Sequence, residues 1–99
     1  MKEITADQLA TKVEAGETLH IIDVREDIEV AQGMIPGAKH IPLGELADAI
    51  SDLDTSKHYY MVCRSGGRSG QACKLLQENG YDVTNMAGGM LEWEGELEF

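Results

Sequence analysis

Two glycines and two arginines crowd one cysteine in the run Cys63-Arg64-Ser65-Gly66-Gly67-Arg68-Ser69. A thiol placed before a glycine-rich turn and a helix start meets successive backbone N–H groups and the partial positive charge of the helix N-terminus. Gly66 and Gly67 allow positive φ and close backbone approach, and Arg64 and Arg68 add positive charge. Together these favour the thiolate, the nucleophilic form of cysteine. The same amides would hold an anionic terminal sulfur on that residue. A buried structural cysteine beside an ordinary turn is the competing reading. Arginines and glycines make poor core material, however, which favours a functional loop.

The elements on either side fit that reading. His58-Tyr59-Tyr60-Met61-Val62 is the strongest strand signal in the chain and runs straight into Cys63. Ser69 to Asn79 sets Ala72, Leu75 and Leu76 on one helical face and stops at Gly80. Upstream, Thr5 is a candidate N-cap for a helix carrying Leu9 and Val13, with Gly16 as its stop. The β-branched run Leu19 to Val24 suits a buried parallel strand with Asp23 and Arg25 at its carboxyl end. A short helix is expected from Asp27 to Gln32, a brief strand near a sheet edge over Lys39 to Pro42, and a helix over Leu43 to Leu53. Tyr81 to Met86 reads as a strand, and Met90 to Glu94 as a short terminal helix. Strands alternating with helices imply an α/β sandwich with a mainly parallel sheet, whose right-handed crossovers place Asp23 and Cys63 on one rim.

At 99 residues the chain has room for one domain, residues 1–99. Its formal charge of −10 argues against nucleic acid or an anionic membrane as partner. No apolar stretch is long enough for a signal peptide or a membrane span, so a cytoplasmic location is expected. Two cysteines make no disulfide framework. His20, His40 and His58 lack ligand spacing with each other or with the cysteines, so neither a metal nor a cofactor is expected.

The remaining candidates have plainer readings. Asp23 and Arg25 would support the loop from behind, Asp23 through Arg68 or a loop amide and Arg25 through Glu26 or Glu29, or would form a structural ion pair. Cys73 could act as a resolving thiol, but a cysteine inside a helix is better read as packing. Trp93, with Met90, Leu91 and Leu97, is expected to anchor the C-terminal segment on the core. Glu92, Glu94, Glu96 and Glu98 form an acidic, solvated edge.

Four segments in order, Ile21-Ile22-Asp23-Val24-Arg25-Glu26, Gly33 to Pro42, Cys63 to Ser69 and Gly88-Gly89-Met90-Leu91-Glu92-Trp93, resemble the motifs of the rhodanese family over nearly the whole chain. The resemblance implies a three-layer α/β/α fold around a mainly parallel sheet of about five strands. It also implies a sulfurtransferase, with Cys63 as nucleophile and persulfide carrier. Thiosulfate or another sulfane donor would load it, a thiol or cyanide would accept the sulfur, and a protein could serve as donor or acceptor. The amides of Arg64, Ser65, Gly66, Gly67, Arg68 and Ser69 would hold the sulfur, with Arg64 and Arg68 drawing in the anionic donor. The family usually has His where this chain has Met34, a residue better suited to filling apolar space.

Two alternatives belong to other classes. Cysteine phosphatases and arsenate reductases use a similar loop, but with one more residue between cysteine and arginine than the four separating Cys63 from Arg68. The shorter loop favours a single sulfur atom over a tetrahedral oxyanion, and no general-acid aspartate is evident nearby. A sulfur-relay or interaction module with little thiosulfate activity is the other.

Overall fold

The structure, a computed structural model, describes residues 2–99. Five strands form one parallel sheet: β1 (Lys2–Thr5), β2 (His20–Asp23), β3 (Lys39–His40), β4 (His58–Val62) and β5 (Asp82–Ala87), in the order β1-β5-β4-β2-β3. Four helices accompany them: α1 (Ala6–Glu14), α2 (Asp27–Val30), α3 (Leu43–Ala49) and α4 (Gly67–Glu78).

Successive strand residues point to opposite faces, and both faces of this sheet are covered. Ile22, Met61, Cys63 and Val83 pack with Leu46 of α3 and with Ala72, Cys73 and Leu76 of α4. Ile21, Val62 and Met86 pack on the other side with Leu9 of α1, against half-buried Met90 and Trp93. The result is the expected three-layer α/β/α sandwich.

Thr5 caps α1 as its sequence predicts. Its hydroxyl accepts from the Gln8 amide at 3.0 Å, and the Gln8 side chain accepts from the Thr5 amide at 3.0 Å, a reciprocal capping box. The strand β1 was not foreseen. Ile4 is its one buried side chain, so the segment carries no alternation, and its pairing partner is β5 at the far end of the sequence.

Several boundaries shift, with α2 ending at Val30 rather than Gln32 and β3 at His40 rather than Pro42. α4 starts two residues before Ser69, because Gly66 takes φ +101° and serves as the N-cap. The segment after Pro42 is α-helical to Ala49 and then tightens into a 3-10 turn over Ile50–Asp52. The terminal helix is a 3-10 turn over Gly89–Glu92 rather than Met90 to Glu94. The C-terminal segment also departs from expectation. Met90 and Trp93 do pack on the core, but Leu91 and Leu97 are 61% and 43% exposed. The chain end is held instead by backbone bonds between Met34 and Glu98, at 2.9 and 2.8 Å. Met34 is half-buried and joins neither core cluster.

From β2 the chain moves to β3 on one side, and from β4 it moves to β5 on the other. The carboxyl ends of the adjacent strands β2 and β4 therefore flank a topological switch point, where parallel sheets open a crevice. Asp23 ends β2 there, and Cys63 follows β4.

Candidate active site

Cys63, the residue after β4, packs in the same core layer as Met61 of that strand, so its side chain turns toward α4. Gly66 has no side chain with which to cap that helix, and the Cys63 sulfur occupies the capping position. The Gly66 N–H donates to Sγ at 3.0 Å, and the Ser69 hydroxyl lies 3.3 Å from it. Complete burial pushes the thiol up. The Ser69 hydroxyl and the amides of Ser69, Gly66 and Ser65 pull it down, and their sum leaves it below the ordinary cysteine value.

The loop rests on a second glycine turn. The Met90 amide donates to the Cys63 carbonyl at 2.8 Å and the Leu91 amide to the Arg64 carbonyl at 3.0 Å. Gly89 sits at φ +62°, so close that a Cβ there would run into both carbonyls. Behind Ser69 stands Asn85 of β5. Its Oδ1 accepts from the Ser69 hydroxyl at 2.5 Å, and its Nδ2 donates to the Gly66 carbonyl at 3.2 Å. Asn85 carried no signal in the sequence, since an asparagine in a strand reads as a solvent-facing residue.

Of the readings open to Asp23 and Arg25, the structure shows the structural ion pair. Asp23 neither reaches Arg68 nor bonds an amide of the Cys63 loop. It accepts from the Arg25 amide and Nε at 3.0 Å and from Nη2 at 2.8 Å, fully buried. Arg25 also donates to the Gly33 carbonyl at 2.8 Å, which ties the α2 segment to the end of β2. The Glu29 carboxylate belongs to Arg68, in a bidentate pair at 2.6 and 2.8 Å. That guanidinium holds Glu29 down at about 2. Arg64 is the exposed arginine of the loop.

Above the loop opens a cavity of about 180 Å³ lined by Arg25, Glu29, Gln32, Arg64, Met90 and Leu91. Cys63 itself is fully buried and does not line this cavity. A larger groove, of about 500 Å³, runs along Thr5, Asp7, Glu92 and Glu94 and holds carboxylates without a nucleophile. Cys73 is buried within α4, and burial pushes its thiol up to about 12.

The family model for the rhodanese-like domain matches residues 5–96. The chain belongs to the rhodanese-like domain family. A Bacillus subtilis protein provisionally named a sulfurtransferase is 51% identical over 98 residues, which cover 99% of this chain and 95% of that one. A sulfurtransferase of Allochromatium vinosum is 35% identical over 94% of this chain and 88% of its own. The crystal structure of a rhodanese-like domain protein from Staphylococcus aureus superposes with a TM-score of 0.93 at 41% identity, covering 100% of this chain and 98% of that one. Among the described residues, no helix is long and apolar enough to cross a membrane.

Proposed function

We propose that this rhodanese-like protein is a sulfurtransferase that carries sulfane sulfur as a persulfide on Cys63. The observation that carries the reading is the Cys63 sulfur at the N-terminus of α4, within 3.0 Å of the Gly66 N–H and 3.3 Å of the Ser69 hydroxyl. Those donors stabilise the thiolate before transfer, and the loop amides hold the charged terminal sulfur after it. The thiolate attacks the outer sulfur of thiosulfate, a new S–S bond forms, and sulfite leaves with the electrons of the bond it breaks. Cyanide or a thiolate then attacks the terminal sulfur, and the Cys63 thiolate departs as leaving group. Arg64 draws the dianion to the mouth, while Arg68 stays with Glu29 and shapes the loop. A reducing, cytoplasmic setting suits two free thiols.

A protein sulfur donor or acceptor is the second reading. It is favoured by the exposed apolar residues Leu91 at the cavity mouth and Ile28 of α2, at 61% and 76% exposure. A Bacillus subtilis protein provisionally named a sulfur carrier is 38% identical over a segment that makes up 52% of its length.

The test is turnover. With thiosulfate and cyanide the protein should form thiocyanate, Cys63→Ser should form none, and Cys73→Ser should keep most of the rate. Absence of thiocyanate with the wild-type protein, together with hydrolysis of an aryl phosphate, would reverse the assignment in favour of a cysteine phosphatase.

A further inference from the structure

Ser69 has one hydroxyl hydrogen and two acceptors within reach, Asn85 Oδ1 at 2.5 Å and Cys63 Sγ at 3.3 Å. It cannot satisfy both at once. The orientation of the Asn85 amide is fixed by its other end, because Nδ2 donates to the Gly66 carbonyl. Turning the amide over would set Oδ1 against that carbonyl, acceptor on acceptor. Oδ1 therefore faces Ser69, and Asn85 is 4% exposed, so water does not compete for it.

With a neutral thiol the shorter bond holds the hydroxyl hydrogen on Asn85, and the Ser69 oxygen is left to accept from S–H. A thiolate changes the balance, since a hydrogen bond to an ionised acceptor is roughly twice as strong as one between neutral groups. Rotation about the Ser69 Cβ–Oγ bond is all that the exchange requires. Once a second sulfur is attached, the negative charge moves to the terminal atom and the hydroxyl can return to Asn85.

We propose that Asn85 is a positioning residue for Cys63, offering the Ser69 hydroxyl a resting acceptor from which it turns to Sγ whenever that sulfur carries charge. The proposal rests on Cys63 being the reacting thiol and goes beyond the loop itself, to a strand residue that does not touch the sulfur. The charged groups around the site come from four elements: Arg64 in the loop, Arg68 of α4, its partner Glu29 on α2, and the Asp23–Arg25 pair at the end of β2. From β5 the group that acts is Asn85, which does not titrate.

The sign of the effect separates a resting acceptor from a structural prop. The measurement is the pH profile of Cys63 alkylation by iodoacetamide, located by peptide mass, in wild type, Ser69→Ala, Asn85→Leu and the double variant. Ser69→Ala removes a donor to the thiolate, so its midpoint should move up by about one pH unit. Asn85→Leu removes the competing acceptor, so its midpoint should move down while Ser69 is present and not at all in the Ser69→Ala background. An upward move in Asn85→Leu, or equal moves with and without Ser69, would overturn the proposal. Should Asn85→Leu fail to fold, Asn85→Asp separates the same two cases. Its carboxylate competes harder for the hydroxyl, so the midpoint should rise more with Ser69 present than in the Ser69→Ala background, and equal rises refute the idea. Alkylation involves no sulfur donor, so this outcome is independent of the thiocyanate assay.

Discussion

The Glu29 carboxylate grips the Arg68 guanidinium through both oxygens, across 39 residues of sequence. It joins the short helix after β2 to the helix whose N-terminus holds the Cys63 sulfur. A bidentate, half-sheltered pair of this kind is stronger than an ordinary surface ion pair. It also occupies the second loop arginine, so under the proposed function steering of an anionic donor falls to Arg64.

The pair has a pH signature. Glu29 is held at about 2, below its ordinary 4.5. Its ionisation therefore adds stability that is fully present above 4.5, declines as pH falls from there, and is gone once pH passes below about 2. Thermal midpoints of wild type and Glu29→Gln should differ at pH 6, keep part of that difference at pH 3, and converge near pH 2. Convergence already at pH 4.5 would mean that the bridge does not form in solution.

The buried pair of Asp23 and Arg25 sets a larger effect. Removing one partner of such a pair strands a charge in a low-dielectric interior and costs about 3–5 kcal/mol. Asp23→Ala should lose that much in chemical denaturation. Asp23→Ala together with Arg25→Met should recover a good part of it, because no charge is then left unpaired. A loss below about 1 kcal/mol in the single variant would show the site to be solvated.

Gly89 supports the loop from beneath. Any side chain there meets the Cys63 and Arg64 carbonyls and requires a positive φ that L-residues rarely adopt. Gly89→Ala should slow sulfur loading about tenfold or more while leaving most of the fold intact, as judged by far-UV dichroism. Unchanged loading would show that the turn does not determine loop geometry.

Cys73 should be inert. Its thiol is pushed up to about 12 by burial, so iodoacetamide at pH 7 to 8 should leave it unmodified in the native protein. Cys73→Ala removes one buried sulfur and should cost about 1–2 kcal/mol through the small cavity left behind. Modification of native Cys73 at a rate like that of a free thiol would contradict its placement.

These relationships differ in how far the chain itself announces them. Val62-Cys63 and the glycines after it are legible because strand, turn and helix start follow one another within a dozen residues, and local propensity governs each. The Thr5–Gln8 capping box is legible for the same reason. β1 is not, because Lys2–Thr5 becomes a strand through pairing with residues 84 to 87. Glu29 was foreseen near an arginine, but the choice of Arg68 over Arg25 depends on how α2 and α4 are brought together around the switch point. Asn85 is legible only after β5 is laid beside β4, which sets it level with Met61 and under Ser69. Leu91 and Leu97 read as core by composition, yet Leu91 lies on the 3-10 turn over Gly89–Glu92 and Leu97 beside a residue that bonds to Met34 through its backbone, and both side chains stay partly outside.

The central claim is that Cys63 holds transferred sulfur in the cradle of its own loop. The intact mass of the protein after incubation with thiosulfate and removal of excess reagent tests this most directly. One added sulfur atom per chain is predicted in the wild type and in Cys73→Ser, none in Cys63→Ser, with reversal on adding cyanide. No mass gain in the wild type, or a gain that survives Cys63→Ser, would contradict the account.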